Sequence, residues 1–259
     1  MLNRWGLAVA MAVLVALSGC VTTENSSFND KRDPQRALAF SLQAARSYIA
    51  QRNWEDAQRH LRTALSIDDR NAEVHEALAL VFQNTGEYEL AERHFRRAIS
   101  LDGKAARLRN NFAAFLYARG NYREAETQLE RVVEDVLYER RDRAFLNLGL
   151  ARMRLEKYDG AREAFERALM MDKQNLLTIF QLAEVYYQLG EFEKAQQYYT
   201  LYRERVPRQS ADGLWLGIRL ADKFGDVNAR ASYALALRNL YPQSDEYLKY
   251  VSVYGDAKK

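Results

Sequence analysis

The sequence predicts an all-α fold, a solenoid of about six helix-turn-helix repeats closed by a C-terminal capping helix. Three observations carry this. A pattern of large and small apolar residues returns in a near-constant 34-residue register. Within one unit, 147–169, Leu148, Gly149, Tyr158, Ala161, Phe165 and Ala168 are spaced so that two amphipathic helices joined by a short turn can nest closely. Only three prolines and twelve glycines punctuate 259 residues, which suits helices better than a turn-rich sheet. One such hairpin cannot bury its own apolar face, so it requires copies of itself on either side.

Asp33-Pro34 reads as a helix start, with aspartate as cap and proline at the first helical position. The first repeat then spans about 38–71, with Tyr48, Trp54, Ala57, Leu61 and Ala64 at packing positions. The second, 72–105, places Leu78, Ala79, Phe82, Gly86, Tyr88, Ala91, Phe95 and Ala98 in the same frame. From 106 the third gives Phe112, Ala113, Leu116, Gly120, Tyr122, Ala125 and Leu129. Two extra residues precede the fourth, 142–175; the fifth, 176–209, has Leu182, Ala183, Tyr186, Gly190, Phe192, Ala195, Tyr199 and Pro207. This is the spacing of the tetratricopeptide (TPR) repeat.

A sixth repeat, about 211–244, keeps Gly225, Val227 and Pro242 but has Arg230 where a small alanine belongs. Residues 245–254, with Tyr247, Leu248, Tyr250 and Val251, read as a closing helix over the last apolar face. Gly86, Gly120 and Gly190 are expected to turn between helices in the left-handed conformation. Asn71 and Asn175 are expected to cap the helices that follow them.

The N-terminus follows different chemistry. Arg4 and the apolar run Leu7–Leu17 form a leader too short to span a bilayer as an ordinary helix. Leu17-Ser18-Gly19-Cys20 resembles the lipobox of bacterial lipoproteins. That resemblance implies cleavage before Cys20, with acyl chains of the palmitate type on its thiol and its amine. Several chains on one residue anchor far more firmly than one. Val21 stands where enterobacterial inner-membrane retention would use aspartate, so the analogy favours the outer membrane. The expected organisation is a signal peptide at 1–19, a lipidated tether at 20–33, the TPR domain at 34–254 and a tail at 255–259. The polar residues 21–32 would reach roughly 40 Å if fully stretched. Cys20 is the single cysteine, so stability must come from packing rather than an internal disulfide.

Lys+Arg 38 against Asp+Glu 35 leaves +3, with both signs interleaved, so no nucleic-acid face is expected. Arg140, Arg141 and Arg143, the tightest basic group, read as a solvated helix end. His75-Glu76-Ala77-Leu78-Ala79 begins like a zinc-protease helix but has alanine where the second histidine ligand belongs. His60 and His94 share a frame position and are expected to face solvent. No phosphate-binding loop or nucleophile elbow appears. The expectation is a non-enzymatic chain without metal, cofactor or small-molecule substrate.

In a TPR array the first helix of each pair lines the concave wall. By frame, the residues facing it are Leu42, Arg46 and Ile49; Glu76, Leu80 and Gln83; Asn110, Asn111, Ala114 and Tyr117; Leu146, Asn147, Leu150 and Met153; and Phe180, Glu184 and Tyr187. Apolar side chains there would supply burial energy, and asparagine amides would pair with a polypeptide backbone. Arg107 and Arg143 stand near the wall, but the carboxylate clamp of chaperone-tail-binding TPR domains is not reproduced. Tyr88, Tyr158 and Phe165 are expected in the core.

Several stretches exceed the generic pattern: 109–117 (Arg-Asn-Asn-Phe-Ala-Ala-Phe-Leu-Tyr), 135–149 across the insertion, 214–221 (Leu-Trp-Leu-Gly-Ile-Arg-Leu-Ala) and 233–242 (Tyr-Ala-Leu-Ala-Leu-Arg-Asn-Leu-Tyr-Pro). With the lipobox and 31–36 (Lys-Arg-Asp-Pro-Gln-Arg), they resemble the PilF/PilW lipoproteins of type IV pilus biogenesis. The resemblance implies a pilotin, which escorts secretin subunits to the outer membrane and supports assembly of the secretin multimer. The alternative is a TPR lipoprotein that docks periplasmic cell-wall hydrolases or proteases.

Overall fold

The computed structural model describes residues 33–255, and among them it contains thirteen α-helices and no strand. Cys20, the leader and the tether lie outside the described residues. The chain divides into two compact units, the first ending at Arg70 and the second beginning at Asn71.

In the first unit, α1 (Pro34–Ala50) and α2 (Trp54–Ile67) form one hairpin. Asp33 caps α1 by accepting the Gln35 N–H at 3.0 Å, with Pro34 following as expected. Ala45, Ala57, Leu61 and Ala64 are fully buried. His60 stacks on Tyr48 with ring centroids 5.4 Å apart, so it packs within the hairpin instead of facing solvent.

The second unit holds five further hairpins and a closing helix. They are α3 (Ala72–Thr85) with α4 (Tyr88–Leu101), α5 (Ala106–Ala118) with α6 (Tyr122–Glu134), α7 (Arg141–Arg154) with α8 (Tyr158–Met171), α9 (Leu176–Gln188) with α10 (Phe192–Arg205), α11 (Ala211–Lys223) with α12 (Val227–Leu240), and α13 (Asp245–Tyr254). Asn71 Oδ1 accepts the Glu73 and Val74 N–H groups, and Asn175 Oδ1 accepts that of Thr178 at 3.0 Å. Gly86, Gly120 and Gly190 take φ of +85°, +79° and +77°, and Gly225 +69° in the sixth hairpin. In the first and fourth hairpins, Arg52 and Glu156 occupy that left-handed position at φ 58°.

Small-on-large packing sets the spacing inside each hairpin. Ala91, Phe95 and Ala98 of α4, and Ala161, Phe165 and Ala168 of α8, are at most 2% exposed. A Cβ added at Gly149 would lie 2.8 Å from Phe165 Cζ and closer still to Cε1, so only glycine admits that ring. Between the third and fourth hairpins the join is polar. Arg152 Nε donates to Glu126 Oε1 at 3.1 Å and Nη2 to Glu130 Oε1 at 3.0 Å, while Lys157 Nζ reaches Glu126 Oε2 at 2.7 Å.

The packing corrects the expectations for Tyr88, Tyr158, His94 and the closing helix, and it shows where Arg230 goes. Tyr88 is 37% exposed, its ring lying under the Arg119 guanidinium at 4.2 Å, and Tyr158 is half-buried at the edge of the core. His94 is half-buried against Phe82, with its Nδ1 2.8 Å from Nδ1 of His75. Arg230 turns away from the alanine position: it pairs with Asp222 at 2.6 Å and lies over Tyr254. On α13, Tyr247, Tyr250 and Tyr254 cover the last apolar cluster, but Leu248 and Val251 do not, being 60% and 44% exposed.

Two predictions follow from this packing. Gly149→Ala gains about 1 kcal/mol of helix propensity yet destabilises the chain, because overpacking costs about 1–3 kcal/mol and the Phe165 ring has nowhere to move. Gly160→Ala meets only the Arg152 side chain, at 3.2 Å, a contact that a shift of a few tenths of an ångström relieves, and leaves the melting temperature within a few degrees of the parent. Thermal denaturation of both variants checks the contrast. Separately, burial, then neighbouring His75 and Arg93, hold the His94 pKa down at about 4. The unfolded chain takes up that proton near pH 6.5, so stability present above 6.5 is lost as pH falls toward 4. The drop in melting temperature between pH 7.5 and 5.0 should therefore shrink in His94→Phe.

Candidate partner-binding groove

Because first helices repeat in register, their third and seventh residues after each contact position project to the same side. In the second unit α5, α7, α9, α11 and α13 bring such residues around a cavity of 540 Å³. Leu150, Met153, Phe180 and Trp215 form its apolar wall, with Tyr117 and Tyr158. Gln181 and Gln188 bring amides, and Arg154, Asp212, Glu246 and Lys249 bring charge.

Part of this wall is held internally. Glu184 and Arg219 form an ion pair at 2.5 Å, and the guanidinium lies 4.5 Å above Tyr187 and 5.7 Å from Trp215. Burial raises the Glu184 carboxyl pKa, against the pull of Arg219. Burial, and then the nearby Glu246, raise that of Asp212. The cavity therefore presents aromatic and thioether surface beside carboxylates that are poorly solvated, a setting that favours a partner with apolar side chains and hydrogen-bonding backbone.

A second cleft of 550 Å³ lies between the start of α5 and the turn 135–140. Asn110, Asn111, Arg107 and Lys104 line one side, and Leu137, Tyr138 and Arg140 the other. Beneath it Glu76, 2% exposed, accepts from Arg107 and, at 2.7 Å, from Asn111 Nδ2. Asn147 Nδ2 donates to Asn110 Oδ1 at 3.3 Å, tying α7 to α5. Asn111 thus spends one amide hydrogen bond as donor and Asn110 one as acceptor in joining repeats, which leaves amide capacity on both for a ligand.

The residues expected from the frame divide accordingly. Tyr117, Leu150, Met153, Phe180 and Glu184 line the first cavity, and Asn110 and Asn111 the second cleft. Asn147 is half-buried between α5 and α7, and Ala114 is exposed. Leu146 is 7% exposed and belongs to the core, so it offers a partner little surface. Glu76 is a buried hydrogen-bond acceptor rather than a groove residue. Leu80 and Gln83 are half-buried on α3. In the first unit Leu42 is 6% exposed and packs inward, while Arg46 is exposed and Ile49 half-buried. Arg107 is occupied by Glu76, and Arg143 is exposed on α7.

Sequence reading missed Trp215, Arg219, Asp212, Glu246 and Lys249. Trp215 and Arg219 stand four and eight residues into α11, as Phe180 and Glu184 do in α9, so the frame would have found them had it been carried into the degenerate repeat. Among the described residues no group of three His, Cys, Asp or Glu side chains could hold a metal ion, and no helix is long and apolar enough to cross a membrane.

Comparison with known proteins places this geometry. Two tetratricopeptide-repeat family models match, one over residues 85–136 and 152–213, the other over 42–106 and 116–175. Type IV pilus assembly protein PilF of Pseudomonas aeruginosa is 38% identical over 245 residues, covering 94% of this chain and 96% of that protein. A solved structure of P. aeruginosa PilF superposes with a TM-score of 0.75, covering 85% of this chain and 98% of that one at 38% identity. The crystal structure of PilW, a widely conserved type IV pilus biogenesis factor, gives 0.73 at 25% identity, over 83% and 98% of the two chains. The 34-residue frame, the hairpin packing and this near-full-length similarity together establish that the chain belongs to the PilF family of tetratricopeptide-repeat type IV pilus proteins.

Proposed function

We propose that this chain is an outer-membrane lipoprotein adaptor of type IV pilus assembly, a pilotin that binds secretin subunits and supports their localisation and multimer assembly. The observation that carries the reading is the 540 Å³ groove of a PilF-family chain, whose wall joins apolar side chains of α7, α9 and α11 to the glutamine amides of α9. Such a wall takes up a polypeptide by burying its apolar side chains, at about 25 cal/mol per Å². Amides at Gln181 and Gln188 then pair with its backbone. Acyl chains on Cys20 would hold the array at the membrane while the tether lets the groove reach a subunit.

Leu42 packs inward, so a charge placed there tests folding more than binding. A double variant, Leu150→Ala with Met153→Ala, trims the groove wall instead. In a pull-down from detergent-solubilised envelopes with the full lipidated chain, it should capture at least fivefold less secretin, equivalent to about 1 kcal/mol. Its helical circular dichroism should be unchanged, and the exposed Arg167→Ala should capture normally. Undiminished secretin capture, or recovery of cell-wall hydrolases in its place, would overturn the reading. Cys20→Ser should leave the outer-membrane fraction and lower the amount of secretin multimer; fractionation like the parent's would defeat the anchoring.

A further inference from the structure

The register places a short, buried residue on four successive first helices: Ala113 on α5, Gly149 on α7, Ala183 on α9 and Gly217 on α11. Two residues before each of them stand Asn111, Asn147, Gln181 and Trp215. All four side chains are half-buried, so each keeps a solvent-facing part. Asn111 lines the second cleft, and Gln181 and Trp215 line the first cavity. Asn147 stands on α7, between α5 and α9 in the stack, and is tied to α5 by its bond to Asn110. The two cavities share no lining residue, yet this row of side chains steps from one to the other, helix by helix.

Three consecutive rungs of the row are primary amides. Asn111 gives one N–H to Glu76 and Asn147 one to Asn110, which leaves a carbonyl and a second N–H on each. Such a rung matches what an extended backbone offers, an N–H and a C=O on every residue. An α-helix has already spent these groups within itself and offers them only at its ends. Spacing narrows the choice further. Packed helices lie about 8–10 Å apart. A polyproline-II chain advances about 3.1 Å per residue and repeats its orientation every three residues, about 9.3 Å. It therefore returns the same backbone edge to successive rungs. A flat strand, with its period of two, turns that edge away at every other rung.

We infer that this row holds one extended, polyproline-II-like segment of a partner polypeptide. Residues i, i+3 and i+6 of the segment pair through their backbone with Asn111, Asn147 and Gln181. The side chain at i+9, an apolar group or a proline ring, lies against Trp215, which stands next in the row and lines the same cavity as Gln181. The inference rests on the reading of this wall as a polypeptide-binding surface and adds the conformation and register of the occupant. It does not require the occupant to be a secretin.

The probe is a phage-displayed library of random dodecapeptides, selected on the full chain. It contains no secretin, so its outcome is independent of the pull-down that tests the pilotin reading. Enriched peptides should carry proline and lack the i, i+3, i+4 apolar pattern of an amphipathic helix. In fluorescence anisotropy, Asn147→Leu with Gln181→Leu should weaken the tightest of them about tenfold, with unchanged circular dichroism. Replacing single peptide bonds of that ligand by esters removes one N–H at a time. Binding should weaken at every third residue, and the loss should vanish in the double variant. No enrichment, enrichment of helical patterns, binding indifferent to the double variant, or ester sensitivity without a three-residue period would each overturn the inference.

Discussion

The structure depends on one close approach, that of a large side chain on the second helix of a hairpin to a short side chain on the first. Phe165 fills the space a Cβ on Gly149 would need, and that fixes how near α7 and α8 can lie. Once the separation is set, every longer residue on the first helix is forced onto one of two remaining sides. One side meets the next repeat and the other is left to line the hollow. The groove is thus a by-product of hairpin packing, and its composition is free to vary because the core does not need it.

That freedom is limited by internal pairing. Glu184 and Arg219 neutralise one another under Tyr187 and Trp215, and Glu76 draws in both Arg107 and Asn111. A buried carboxylate left without such partners would be costly, so each is matched by a cation or an amide from the following repeat. The same bonds that solvate these charges also hold successive first helices in place. What stays open is the apolar strip of Leu150, Met153 and Trp215 with the glutamine amides beside it, a surface shaped by what the charged residues have already used.

How far sequence carried the fold can be seen in particular residues. The 34-residue spacing located the hairpins, Asn71 and Asn175 as caps and Gly86, Gly120 and Gly190 as left-handed turns, because each of these roles is decided by local backbone chemistry. Periodicity also brought Tyr117, Leu150, Met153 and Phe180 to the groove. It failed where a residue's fate depends on its neighbour in the next repeat. Leu146 and Glu76 sit in the right register yet are covered by adjacent helices, and His94 is drawn against Phe82 and His75. Trp215 and Arg219 were hidden by the irregular sixth repeat, where Arg230 replaces a small residue and breaks the pattern that would have indexed them.

The two hairpin turns without glycine have a consequence for how the array opens. Arg52 and Glu156 hold φ of 58°, a conformation that costs a residue with a Cβ about 1–2 kcal/mol relative to the glycine used in the other turns. Solenoids unfold unit by unit rather than all at once, so strain stored in one connection is not shared with the rest. Amide hydrogens flanking residues 52 and 156 therefore report the earliest local fraying, and the fourth hairpin is a weak link within the second unit.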